Sequence, residues 1–196
     1  MNGDIGRRVR PGITLAVALA SASLYGLLLA VVKGDDAGWR FVVGNLSAPY
    51  VLPSFLLGRR TSRINWGAAL GVAAAETTLV GFYVWEGLAF DLVTKHSVAH
   101  ITVVAVLALM LGGAYGGLGA LSRRTPPVAG LLLALPFFIE PLVQILPGRL
   151  GDLRGDPNAL RDFPYIFVLE ALLGCIIALV LVRRSSKQQF DVPLNA

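Results

Sequence analysis

Three glutamates interrupt long apolar stretches of the sequence and are the residues best suited to chemistry. They are Glu76 in "AAAETTLVGFY", Glu140 in "LPFFIEPLVQIL" and Glu170 in "FVLEALLG". An ionisable side chain in an apolar run is costly unless it is paired or faces water, so each glutamate is a candidate functional residue. Two carboxylates held close together in such surroundings cannot both stay ionised. A cluster of them can therefore hold a proton, a cationic ligand or a metal ion.

Polar residues and prolines accompany these glutamates. Asn45 and Gln144 are expected to orient a ligand bound by the carboxyl groups. Pro141 has no N–H, so it frees the carbonyl of Phe137, one turn from Glu140. A freed carbonyl at membrane depth is tolerated only where protein or cavity water satisfies it. The other prolines inside apolar runs are Pro49, Pro53 and Pro136.

Other chemistries find little support in the residue pattern. The three glutamates offer oxygen ligands for a hard divalent ion, but no Glu-x-x-His spacing accompanies them, and His96 and His100 have no third histidine. The single cysteine, Cys175, excludes a disulfide framework and a thiolate cluster. Signatures of serine hydrolases, phosphate-binding loops, zinc peptidases and dithiol redox proteins are missing. We expect no metal and no cofactor.

The elements that position the glutamates are membrane spans. The chain of 196 residues is 55% hydrophobic and 15% charged, with a mean hydropathy of +0.68. This composition predicts an all-α polytopic membrane protein, with residues 1–196 forming one transmembrane domain. Six helices are expected, at about 12–32, 41–58, 66–85, 98–121, 128–146 and 164–182.

The distribution of charge predicts the orientation of the bundle. Arginine pairs stand at positions 7–8, 59–60, 123–124 and 183–184, and six spans place all four pairs on one side. That side has 11 lysines and arginines, and the other has 6, together with seven acids. By the positive-inside rule both termini are cytoplasmic, in a bacterial plasma membrane. Lys33 and Glu86 are assigned to the outer connections.

The same topology sets the depth of each glutamate. Glu140 and Glu170 lie about 9 Å inside the outer ends of their spans and Glu76 about 14 Å, at 1.5 Å per residue. The cytoplasmic halves of these spans are nearly all apolar, so a polar cavity that opens outward is expected.

A pI near 9.8 does not indicate nucleic-acid binding, because the positive charge is spread over segments beside lipid headgroups. The N-terminal "RRVRPGITLAVALASAS" resembles a signal peptide, but its apolar run continues to a full span, so we expect it to be retained.

Small residues four apart predict close helix packing. They are Gly112/Gly116, Gly113/Gly117, Gly67/Gly71, Ala16/Ala20 and Ala18/Ala22. Intramolecular packing is the simpler interpretation. The first span lacks ionisable residues, so its alanine face is also a candidate for docking a membrane partner subunit.

The segment "GNLSAPYVLPSFLLGRR", followed by a Gly-rich helix ending in "GFY", resembles an uncharacterised family of small actinobacterial integral-membrane proteins. The later "GGAYGGLGA" and the Glu140 and Glu170 spans follow in the order of that family. The resemblance implies six spans and offers no activity, and Pro49 stands where a tryptophan is expected. A looser likeness is to the substrate-binding subunits of energy-coupling-factor transporters, which have six helices, an outer ligand cavity and an Ala-x-x-x-Ala docking face.

Three hypotheses follow for function. The first is a transporter or permease component that binds a small cationic or amphipathic molecule through Glu76, Glu140, Glu170, Asn45 and Gln144. The second is a membrane-embedded enzyme that uses Glu140, Glu170 or Glu76 as general acid on a lipophilic substrate, as an isoprenoid cyclase does. The third is a non-catalytic accessory subunit.

Overall fold

The fold is a bundle of α-helices. The computed structural model describes residues 11–34, 38–46, 48–90, 98–145 and 159–190, and none of these lies in a β-strand. The helices are α1 (Pro11–Lys33), α2 (Trp39–Asn45), α3 (Ala48–Gly58), α4 (Ile64–Phe90), α5 (Val98–Leu121), α6 (Pro126–Ile145), α7 (Ala159–Asp162) and α8 (Pro164–Phe190).

Four helices, α1, α4, α5 and α8, are long and apolar enough to cross a membrane. Two shorter apolar segments, Val42–Gly58 and Pro126–Leu142, correspond to the second and fifth expected spans. Large apolar side chains remain exposed on the outside of the bundle, among them Leu88 at 79% and Leu169 at 63%. Such surfaces require lipid rather than water around them. The predicted all-α polytopic membrane fold is thereby confirmed.

The second apolar segment is broken, whereas the sequence predicts one helix over 41–58. Helix α2 ends at Asn45, and Leu46 has an extended backbone with φ −61° and ψ 131°. Pro49 has no N–H to donate to the carbonyl four residues earlier, so a continuous helix would lose a backbone hydrogen bond here. Starting a new helix at Ala48 instead places Pro49 in a first turn, where no N–H is needed.

Two carbonyls freed by prolines accept hydrogen bonds from tyrosines of neighbouring helices. Pro53 frees the carbonyl of Pro49, and the hydroxyl of Tyr25 donates to it at 3.2 Å. Pro136 frees the carbonyl of Leu132, which accepts a longer bond, 3.5 Å, from Tyr115. The expected satisfaction of freed carbonyls by neighbouring protein is confirmed at these two positions.

Helix α4 packs against α1, α3 and α5, and α6 pairs with α8. An apolar core joins the two groups, with Val51 and Phe55 of α3 packed against Leu133 of α6 and Leu181 of α8. A second cluster joins α2 to the start of α8; its buried members are Val42, Leu46, Ile166 and Phe167. The broken segment α2–α3 therefore holds the α6–α8 pair to the rest of the bundle.

Glycines bring α4 and α5 into close contact. A Cβ added at Gly116 would lie 2.6 Å from the Cα of Gly71, and one at Gly67 would lie 2.7 Å from the carbonyl oxygen of Gly116. At Gly113 an added Cβ would have its nearest neighbour, a side-chain carbon of Val72, at 3.5 Å, which is an ordinary contact. The Gly67/Gly71 and Gly112/Gly116 spacings thus serve intramolecular packing. On α1, Ala16 and Ala20 are exposed, whereas Ala22 is buried.

Candidate functional site

The antiparallel pairing of α6 with α8 brings two of the predicted site residues together. Gly130 lies against Leu181, and Gly174 lies against Phe137, where an added Cβ would be 2.8 Å from the Phe137 Cβ. These contacts fix a register in which each step forward along α6 is a step backward along α8. In that register Glu140 is level with Glu170, and their carboxyl groups interact.

Glu170 is the buried member of the pair. It is only 5% exposed, and both carboxyl oxygens are shielded from solvent without a well-formed hydrogen bond to any described residue. Glu140 is close enough to interact electrostatically, but no well-aligned hydrogen bond joins the two groups. Glu140 itself is half-buried. An ionised carboxylate left in this state is strongly disfavoured, because it has lost its hydration and faces a like charge.

Two chemical states avoid a second unneutralised negative charge at this buried pair. In the first, a proton resides on the pair, which leaves one negative charge at most. In the second, a cation lies between the carboxyl groups and neutralises them. A buried phenylalanine precedes each glutamate by three residues, Phe137 on α6 and Phe167 on α8.

The third glutamate does not join the pair. Glu76 lies half-exposed on α4, which packs against α1, α3 and α5. Within the described ranges, no group of three His, Cys, Asp or Glu side chains comes close enough to hold a metal ion. The hydroxyls of Thr77 and Thr78 donate to the carbonyls of Ala73 and Ala74 in their own helix, at 2.5 and 2.8 Å.

The remaining predicted residues are placed only in part. Asn45 ends α2 and Gln144 lies in the last turn of α6, but their side chains are outside the described part of the structure. His96 is also outside the described residues. His100 is exposed at the start of α5, and Cys175 is exposed on α8.

Sequence reasoning missed a buried ion pair. The Nζ of Lys33 lies 2.6 Å from Oε1 of Glu86, and the two side chains are 9% and 2% exposed. Helix α1 ends at Lys33, while α4 continues to Phe90, so Glu86 is inside a helix rather than in the outer connection assigned to it. The pair joins the C-terminal ends of these two helices.

Aromatic rings and the α2 backbone enclose the ion pair. The Lys33 ammonium lies 5.0 Å from the ring centroid of Phe82, within the range of a cation–π contact. Phe82 in turn meets Tyr50 edge-on, with ring centroids 6.0 Å apart. The Tyr50 hydroxyl donates to the carbonyl of Gly44 at 3.1 Å, and Gly44 lies directly against Lys33.

Arg40 closes the end of α1 beside the ion pair. Its Nε donates to the carbonyl of Val32 at 3.0 Å, and a second guanidinium nitrogen donates to that of Val31 at 2.8 Å. These are carbonyls of the last helical turn, which lack partners in their own helix. Gly34 follows with φ +64°, a left-handed conformation that favours glycine. The chain can therefore turn sharply and leave Lys33 facing Glu86.

A signal for this pair was available in the sequence. Lys33 and Glu86 have opposite charges and stand at corresponding ends of the first and third spans, which run in the same direction through the membrane in a six-span topology. The positive-inside rule counts both residues as loop charges. It therefore does not show that they lie at the same depth in the membrane. Which spans are neighbours, however, is decided by packing, and α1 meets α4 through close contacts at Gly26 and Gly81.

No protein-family model, no curated protein and no solved structure matches this chain. The site is accordingly interpreted from its own residues.

Proposed function

We propose that this integral membrane protein binds a small cationic or amphipathic molecule at the Glu140–Glu170 pair, as a transporter or permease component. The observation that carries the proposal is Glu170, a carboxyl group 5% exposed that lies beside the carboxyl of Glu140 and makes no well-formed hydrogen bond to the described residues. A group that served only to tie helices together is expected to have its hydrogen bonds made within the protein. A cationic ligand supplies the missing counter-charge.

The helix that carries Glu140 adds support. Pro141 has no N–H, so the carbonyl of Phe137 receives no backbone hydrogen bond from it. This oxygen lies on the same turn as Glu140 and at the level where Phe137 contacts Gly174 of α8. Helix α6 continues through Pro141 to Ile145, and carbonyls that lack a backbone partner coordinate cations in the binding sites of many transporters. The carbonyl would act with the two carboxyl groups on a positively charged ligand.

Uptake of a lipophilic cation tests the transport role. Purified protein is reconstituted into liposomes, and accumulation of tetraphenylphosphonium is measured with and without an imposed pH gradient. We expect accumulation above that of empty liposomes, and we expect Glu140→Gln and Glu170→Gln to remove it. Asp162→Asn is the matched control, because it deletes one exposed carboxylate of α7. Accumulation equal to that of empty liposomes, or unchanged in both glutamine variants, would contradict the proposal.

A second candidate, a membrane-embedded enzyme, is supported by the same buried carboxyl. If Glu170 is protonated, its O–H can donate to a lipophilic substrate as a general acid. This function predicts a changed lipid extract on expression, with the change lost in Glu170→Gln, and no accumulation of the cation in liposomes. Cation accumulation in liposomes therefore supports transport, whereas a changed lipid extract supports the enzyme.

A further inference from the structure

Exposed arginines gather at the end of the bundle where α3 and α5 finish and α4 and α6 begin, hereafter the arginine-rich end. The described members of this set are Arg59, Arg60, Arg63, Arg123, Arg124 and Arg183; Arg59 is half-buried and the others are exposed. None of these six has an ion pair in the described part of the chain. Their positive charge is therefore not neutralised by those residues.

Glycine contacts hold the two arginine-bearing turns together. Gly58, the last residue of α3, lies directly against the backbone of Gly116. A Cβ added at Gly119 would lie 2.9 Å from the backbone nitrogen of Arg59. The turn that carries Arg59 and Arg60 is thus packed beside the end of α5, which Arg123 and Arg124 follow directly. Four arginines are therefore carried by two adjacent turns.

The described acids lie far from this region. Glu76 and Glu170 are each 13 residues along a helix from Arg63 and Arg183, respectively, which corresponds to about 20 Å at 1.5 Å per residue. Repulsion between the arginines is therefore not offset by a nearby carboxylate in the described structure. An anion from outside the described chain would offset it, and guanidinium groups bind phosphate with paired hydrogen bonds.

The apolar surface next to the arginines indicates which anion fits. Leu56 is 59% exposed, Ile64 47%, Trp66 60% and Val128 50%, all within a few residues of an arginine. A ligand that fits both features has a phosphate group at the arginines and hydrocarbon chains along these side chains. Trp66 stands where tryptophan is enriched in membrane proteins, at the headgroup level.

We propose that the arginine-rich end binds the headgroup of an anionic phospholipid between the α3–α4 and α5–α6 turns. Arg60 and Arg124, which are exposed on adjacent turns, hold the phosphate. The lipid neutralises the arginine cluster and holds the two turns at their observed separation. This site is independent of the glutamate pair, which lies toward the opposite ends of α6 and α8.

Native mass spectrometry of the purified protein tests the proposal. The protein is offered phosphatidylglycerol, phosphatidylcholine or soluble glycerol phosphate, and bound adducts are counted. We expect phosphatidylglycerol to be retained in preference to phosphatidylcholine, with affinity falling about fivefold in Arg60→Gln and again in the double variant with Arg124→Gln. Arg161→Gln, an exposed arginine of α7 at the opposite end, should retain the preference.

Two further measurements distinguish a loss of lipid binding from a loss of folding. The charge-conserving Arg60→Lys/Arg124→Lys variant should keep most of the lipid preference. The lipid-free melting temperature, measured for every variant, should stay at the native value. An unchanged preference in the double glutamine variant would overturn the proposal, as would an equal loss in Arg161→Gln. Retention of glycerol phosphate as strong as that of phosphatidylglycerol would also overturn it, because the ligand would then be a free phosphate.

Discussion

The ammonium nitrogen of Lys33 lies 2.6 Å from a carboxylate oxygen of Glu86, and the contact joins the C-terminal ends of α1 and α4 in a buried site. The two residues are 53 positions apart in sequence. A buried ion pair is expensive to form, because both charges lose their hydration. We expect the pair to specify which helix ends meet rather than to add net stability.

Removing one member of this pair should destabilise the protein more than removing both. Lys33→Met or Glu86→Leu alone leaves a buried charge without its counter-charge, with an expected loss of about 3–5 kcal/mol in the free energy of unfolding. The double variant Lys33→Met/Glu86→Leu should lose much less, and the exchange Lys33→Glu/Glu86→Lys should recover part of the loss. Thermal unfolding in detergent measures each variant. A loss in the double variant equal to the sum of the two single losses would mean that the two charges are not coupled.

The close approach of α4 and α5 predicts opposite effects at neighbouring glycines. Gly116→Ala places a methyl group against the Gly71 backbone at 2.6 Å and should destabilise the protein by about 1–3 kcal/mol. Gly113→Ala is the matched control, since its added Cβ finds only ordinary contact at 3.5 Å. Because alanine favours helix over glycine, that change should be neutral or stabilising. The same melting temperature for both variants would contradict the packing described for this interface.

The hydrogen bond from Tyr25 to Pro49 should depend on Pro53. Tyr25→Phe removes the donor to the freed carbonyl and should cost about 1 kcal/mol. In a Pro53→Ala background residue 53 gains an N–H that can reach the same carbonyl, so Tyr25→Phe should then cost less. A double-mutant cycle on unfolding midpoints measures this coupling. Additive effects would show that the tyrosine does not compensate for the proline.

Hydropathy and charge were sufficient to predict the helical membrane fold and the approximate limits of its spans, because span length is set by bilayer thickness. Residue spacing also predicted close helix packing at Gly67/Gly71 and Gly112/Gly116, but not that these two faces meet each other. It did not predict that Glu76 lies apart from Glu170, because that depends on which helices are neighbours. The Lys33–Glu86 pair was missed for the same reason. Such adjacency is decided by side-chain packing between residues distant in sequence, as with Gly26 and Gly81.

The pairing of Glu140 with Glu170 is the central claim, and equilibrium binding of tetraphenylphosphonium to the purified protein tests it most directly. Binding is measured by flow dialysis for the native protein, Glu140→Gln, Glu170→Gln and the control Asp162→Asn. We predict saturable binding to the native protein and to Asp162→Asn, with affinity lowered about tenfold or more in either glutamine variant, since each loses a charged partner of the cation. Native affinity in Glu170→Gln, or equal weakening in Asp162→Asn, would contradict a cation site at this carboxyl pair.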